Sequence, residues 1–126
     1  MLHTGKIILA LVGLLLSWSA WAHGSLAPQH GGRMVEAEGG RLELVAKDTK
    51  VDLYVTDHDD KPIAVAGASA KVVILAGGKK LEVALQGADG NLLSGTTQTP
   101  VGDAFSAVIT VSGLAKPISA RLPAQH

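Results

Sequence analysis

Histidine is the residue type in this chain best suited to metal or proton chemistry at neutral pH. The chain of 126 residues contains five histidines and no cysteine. His23 follows a run of small residues, His30 precedes a Gly-Gly pair, and His58 lies in a turn rich in aspartate. Imidazole nitrogen binds borderline divalent ions, whereas thiolate zinc and iron–sulfur sites are excluded without cysteine. These three histidines are the candidate metal ligands.

The role of His23 depends on where the exported chain begins. Residues 1–22 have the layout of a secretory signal peptide, with a basic Lys6, an apolar run over Ile7–Leu16, and small residues at Ala20 and Ala22. The apolar run is too short to span a bilayer. Cleavage after Ala22 would give a periplasmic protein whose first residue is His23. A free amine and an imidazole on one residue form a ready chelate for a metal ion.

The predicted metal is Cu(II) or Zn(II), bound by His23 and His30 with His58 as an optional third ligand. Copper heads the divalent affinity order, and amine and imidazole nitrogens suit its near-planar geometry. The glycines after His30 would let the chain fold around an ion. Two other interpretations remain open. His23 and His30 could lie in a tail with no ligand, and the turn at His58 could be a solvated hairpin loop whose polar residues serve turn chemistry. The carboxylates of that turn could also raise the imidazole pKa instead of adding a ligand.

Composition excludes several other functions. The formal net charge is zero, which gives no general attraction to nucleic acid or to an anionic membrane. Both tryptophans lie within the predicted signal peptide, so Tyr54 and Phe105 are the aromatic rings left to stack on a sugar or a base. No Gly-x-Ser-x-Gly or metalloprotease spacing occurs, so an enzyme is not expected. No membrane insertion is expected once the signal peptide is removed.

The elements that must position these histidines are β-strands. Polar and apolar residues alternate from residue 41 onward, in about seven short runs separated by Gly, Asp and Pro turns. The pattern predicts an all-β fold, an antiparallel immunoglobulin-like β-sandwich. The predicted organisation is a signal peptide over residues 1–22, a flexible metal-binding arm over 23–40 and the β-sandwich domain over 41–126. The facing of Tyr54 and Phe105 is left open. The predicted core comprises Leu42, Leu44, Leu53, Val55, Val73, Leu75, Leu81, Val83, Leu85, Val108 and Val111.

Two resemblances bear on function. The segment from His30-Gly-Gly-Arg-Met to Leu-Glu-Leu-Val, followed by Leu-Tyr-Val and Asp60-Lys-Pro, resembles small periplasmic proteins found with heavy-metal efflux systems of the resistance-nodulation-division type. It is similar to the His-Gly-Gly module of their adaptor proteins. This resemblance implies a β-sandwich that handles copper, zinc or related ions, with His30 as ligand. A weaker similarity, to CopC-type periplasmic copper carriers, rests on a mature chain that begins with histidine.

The sequence therefore predicts a periplasmic metal-binding accessory protein of a heavy-metal efflux or resistance system. An alternative from another class is a β-sandwich module that binds no metal. It would dock on an efflux adaptor or another periplasmic partner through an exposed strand edge, with Ile63–Ala70 as the contact. Replacing His23 and His30 separates the two, because only the metal-binding function needs them.

Overall fold

The computed structural model describes residues 27–124, and all regular structure in this part of the chain is β. No helix with the length and apolarity to cross a membrane occurs in it. The predicted signal peptide and His23 lie outside the described residues. Eight strands follow one another: β1 (Arg33–Ala37), β2 (Gly40–Lys47), β3 (Lys50–Thr56), β4 (Ser69–Ala76), β5 (Lys79–Asp89), β6 (Leu92–Thr96), β7 (Ser106–Ser112) and β8 (Ile118–Leu122).

The strands form one antiparallel sheet in the order β1-β2-β3-β6-β5-β4-β7-β8. The sheet curls until β1 packs against β8, which leaves an almost closed, sandwich-like shape around a single core. Arg33 fastens this closure, since its guanidinium donates to the carbonyls of Phe105 and Pro123 and lies 4.7 Å from the centre of the Phe105 ring. The predicted all-β, antiparallel sandwich-like fold is confirmed. All seven predicted runs are strands.

Strand β1 is an addition to the prediction. The sequence pattern assigns residues 33–37 to the arm, because no alternating apolar run is visible there. The structure pairs them with β2, in register from Arg33 opposite Leu44 to Ala37 opposite Gly40. Its inward residues, Val35 and Ala37, are only partly buried, so its apolar signal is weak. Residues 33–37 form a strand because they pair with β2, and a local sequence pattern carries no information about such a partner.

The core prediction was wrong for four of its eleven residues, which lie in β4, β5 and β7. Leu75 is 51% exposed and Val108 is 38% exposed, while Val73 is half-buried outside the core and Leu81 only packs against its edge. Both sides of β4 carry apolar residues, so alternation there does not identify the inward face. The residues that face inward instead are Ala70, Val72 and Ile74 in β4 and Ala107 and Ile109 in β7. The other seven predicted core residues are buried. Phe105 also belongs to the core, whereas Tyr54 faces outward and is half-buried.

The segment between β3 and β4, residues 57–68, contributes side chains to the core. Val65 and Ala68 are buried, and the carbonyl of Val65 sits so close to Gly87 in β5 that a Cβ there would collide with it. The sheet register shifts between Gly87 and Asp89, so a bulge accommodates this passage. Ile63–Ala70, the proposed docking edge of the alternative function, therefore contributes much of its apolar surface to the core.

Candidate functional site

The outward face of β1, β2 and β3 carries the polar residues that the core does not use. Strand alternation places Glu43 of β2 between its cross-strand neighbours Met34 of β1 and Tyr54 of β3. The segment before β1 crosses this face and lays the His30 ring flat on Tyr54, with ring centres 3.6 Å apart and planes 1° from parallel. The arm thus has a defined place on the sheet from at least His30 onward.

Glu43 holds this segment in place. It is 3% exposed and is the buried charged residue among those described. Its carboxylate accepts hydrogen bonds from the backbone amides of Gln29 (3.2 Å), His30 (2.8 Å) and Gly32 (2.9 Å), and from His30 Nδ1 (2.9 Å). Burial raises the pKa of Glu43, but these hydrogen bonds together outweigh burial, and the net pKa lies below the ordinary glutamate value. The carboxylate is therefore ionised at neutral pH.

Gly32 permits this close docking. A Cβ at Gly32 would lie 2.5 Å from the carbonyl oxygen of Leu44 and 2.7 Å from Cγ2 of Val45. Any larger residue would push the segment away from β2 and lengthen its amide hydrogen bond to Glu43. The Gly-Gly pair that sequence analysis assigned to freedom around an ion thus has, at Gly32, a packing role.

The hydrogen bond to Glu43 fixes which nitrogen of His30 is available. An ionised carboxylate only accepts, so Nδ1 of His30 carries a proton and donates it. In neutral imidazole the lone pair then lies on Nε2, which has no hydrogen-bond partner among the described residues. His30 is part of the lining of a cavity of about 200 Å³, here called the outer-face cavity, together with Met34, Tyr54, Asp60 and Asn91. The carboxylate–imidazole arrangement is the one that orients metal-binding histidines in proteins.

His58 has a different environment. Its Nδ1 lies 2.6 Å from Oε1 of Glu36 in β1, and its Nε2 lies 3.2 Å from the backbone carbonyl of Glu38. Both partners are acceptors, so the geometry suits the doubly protonated imidazolium. The hydrogen bond to Glu36 is the main cause that raises the pKa of His58, and the same bond lowers the pKa of Glu36. Glu36, and not the neighbouring aspartates, is the ion-pair partner.

The turn that carries His58 is organised by its own aspartates. Asp57 Oδ1 accepts hydrogen bonds from the amides of Asp59 and Lys61, while Asp60 accepts one from Arg41 at 2.7 Å. These contacts confirm the predicted polar turn over residues 57–62. They leave the carboxylates of Asp57 and Asp60 already engaged by protein donors.

The structure brings His30 and His58 to the same face but not to one ligand set. His58 engages both ring nitrogens, and among residues 27–124 no group of three or more His, Cys, Asp or Glu side chains is placed to hold a metal ion. His23 lies outside the described residues. Sequence reasoning missed Glu43 because it occupies an ordinary polar position in an alternating strand, and it missed Glu36 because β1 has no visible strand pattern. Their partners come from segments that pairing and docking bring across the sheet.

Comparisons with known proteins give no independent assignment. No family model, no curated protein and no solved structure matched this chain.

A second, larger cavity of about 460 Å³ lies at the end of β1 and β2, beside Arg33, Asp103 and Phe105. The Arg33 guanidinium is already committed to two carbonyl acceptors and the Phe105 ring. Arg33 therefore serves to fasten β1 to β8. With Arg33 engaged in this way, the larger cavity is a weaker candidate site than the outer-face cavity.

Proposed function

We propose that this chain is a periplasmic metal-binding accessory protein of a heavy-metal efflux or resistance system, and that it binds Cu(II) or Zn(II) through His23 and His30. The observation that supports the proposal most is the pairing of His30 with the buried Glu43. It leaves Nε2 of an oriented imidazole free beside a cavity. The buried carboxylate fixes the orientation of this imidazole, as second-layer carboxylates do for metal-binding histidines.

The position of His30 also suits transfer of an ion. Its side chain is 41% exposed, so an incoming ion or a partner's ligand can reach it. His23 lies seven positions earlier in the chain, a separation that allows the segment to fold back and supply its imidazole and amine. A site made of few ligands near a chain end exchanges its ion readily, which suits delivery to a pump. His58 is the ion-pair partner of Glu36 in this conformation, and as an optional ligand it would have to leave that contact.

The first experiment measures the intact mass of the exported protein and then titrates it with Cu(II) and with Zn(II). Because the His30 ring lies on Tyr54, copper at His30 should quench Tyr54 fluorescence and saturate near one equivalent. We expect His30→Ala to weaken binding by about tenfold or more, and Glu43→Gln by about tenfold, in line with losses seen for residues that orient metal ligands. Glu82→Gln on β5 is the control, because this exposed glutamate is not among the proposed ligands.

The outcomes separate the two functions. A mass that begins at His23, together with loss of binding in His30→Ala, supports the metal-binding function. A titration that does not saturate in the wild type, or that His30→Ala leaves unchanged, would overturn it and favour the docking module. For that module, the exposed Leu75 and Val108 on the β4–β7 face are the residues to replace in a search for a protein partner.

A further inference from the structure

The outward face of β5, β4, β7 and β8, here called the back face, carries the exposed apolar surface of the described chain. Leu75 of β4 and Val108 of β7 are the large apolar side chains that residues 27–124 leave exposed, at 51% and 38%. Val73 of β4 lies directly opposite Val108 in the β4–β7 register and is half-buried on the same face. These three side chains form one small apolar patch at the centre of the back face.

Two charged residues extend this patch into a row across four strands. Glu82 of β5 is exposed and lies directly opposite Val73, with contacts of 3.6 and 3.8 Å to two lysines. Arg121 of β8 is exposed and lies directly opposite Val108. It has no ion-pair partner among residues 27–124. The row therefore runs from an acidic end, across two valines, to a basic end.

This row is complementary to a second copy of itself. When two back faces meet, a two-fold axis parallel to the strands and midway between β4 and β7 exchanges the two ends of the row. It sets Glu82 of each copy against Arg121 of the other. The two valines of each copy then lie against the two valines of the other. The same axis sets Lys71, which is opposite Thr110 within one sheet, against Thr110 of the second copy and not against another cation.

We propose that this chain forms a two-fold symmetric dimer through the back face. Two antiparallel sheets pack face to face about 10 Å apart, with their strands within about 30° of each other. Four strands of about five residues make a face of at most roughly 19 Å by 17 Å. This is at the low end of specific interface sizes, so the dimer is a reversible one. The arm with His30 lies on β1–β3, outside the back face, so the inference does not depend on the proposed metal-binding function.

Charge reversal tests both the dimer and its symmetry. The exported protein is followed by sedimentation equilibrium over roughly 10 μM to 1 mM, the range suited to an interface of this size. We expect a monomer–dimer equilibrium, which Glu82→Arg and Arg121→Glu each weaken by about tenfold or more because like charges then face each other. Val108→Asp should also weaken it, because the dimer would bury an unpaired carboxylate. Lys47→Glu is the matched control, since it reverses the charge of an exposed lysine on β2, outside the back face.

An equimolar mixture of Glu82→Arg and Arg121→Glu tests the two-fold arrangement directly. In a mixed pair every reversed charge meets its opposite on the other copy, so the mixture should dimerise with nearly wild-type affinity while each variant alone does not. That recovery would also show that both variants are folded. A wild type that stays monomeric up to about 1 mM would overturn the proposal, whatever other molecule binds Leu75 and Val108. A dimer that none of the three back-face variants weakens, or a mixture that stays monomeric, would overturn it as well.

Discussion

Replacing Glu43 by glutamine should release the arm from the sheet without unfolding the domain. The carboxylate accepts four hydrogen bonds, three of them from backbone amides of residues 29–32. The glutamine carbonyl can keep the two bonds from the amides of His30 and Gly32. Its NH₂ group then faces the amide of Gln29 and Nδ1 of His30, so one bond is lost and the His30 ring must change tautomer.

The magnitude follows from the loss of charge. Hydrogen bonds to a charged group contribute about 1.5–3 kcal/mol each, against about 1 kcal/mol for neutral ones. After relaxation of the exposed segment, we expect docking of residues 29–32 to weaken by about 2 kcal/mol, or about 30-fold in the opening equilibrium. The tautomer change has a second effect. The side-chain amide introduced by Glu43→Gln would donate to Nδ1 and move the ring proton to Nε2, which blocks the nitrogen proposed to bind metal.

The assay is amide hydrogen exchange of His30 and Gly32 in the wild type, in Glu43→Gln and in Glu82→Gln. Glu82 is an exposed glutamate on β5 with only long contacts to lysines, which makes it a matched control. We expect about 30-fold faster exchange at the two amides in Glu43→Gln alone, with core amides such as Ile109 unchanged. Equal protection in all three proteins would refute the reasoning, because the arm would then dock without the carboxylate.

Acid should act on the wild-type arm in the same direction. The folded-state pKa of Glu43 lies below its ordinary value, so its contribution to stability is present above that ordinary value and is lost as the pH falls through the lowered pKa. The ring resonances of Tyr54 and His30 should therefore report undocking below the ordinary glutamate range. Undocking that is already complete above the ordinary glutamate range would contradict this role of Glu43.

Three further predictions test other parts of the structure. In urea unfolding, His58→Ala should destabilise the protein more at pH 6 than at pH 9. The raised pKa of His58 gives stability that is lost as the pH rises through that pKa. An equal effect at both pH values would argue against the ion pair with Glu36. Ile74→Ala should cost about 2–5 kcal/mol and Leu75→Ala under about 0.5 kcal/mol, and the reverse order would show that the β4 register is wrong. Gly87→Ala should lower the free energy of unfolding by about 1–3 kcal/mol through its clash with the Val65 carbonyl, and an unchanged thermal midpoint would contradict that contact.

Much of the fold could be predicted because alternation is a local property. The runs that became β2, β3, β5 and β8 each have one mainly apolar side, and a half-buried strand needs nothing more to be recognised. In strand β4, alternation does not identify the buried face. Its apolar residues lie on both sides, and only packing against β5 and β7 turns Ile74 inward and Leu75 outward. Strand β1 shows another limit, since its identity depends on the partner that it pairs with.

In the candidate site, too, some features follow from local sequence and others from tertiary contacts. The sequence by itself determined which side chains are candidate ligands, because the chain has no cysteine and has histidine at positions 23, 30 and 58. It also determined the polar turn at residues 57–62, since aspartate side chains bond their own backbone. Only the tertiary structure decided what each imidazole does. Glu43 reaches His30 and Glu36 reaches His58 across 13 and 22 positions of the chain. Contacts at that separation follow from strand pairing and burial, which no local pattern encodes.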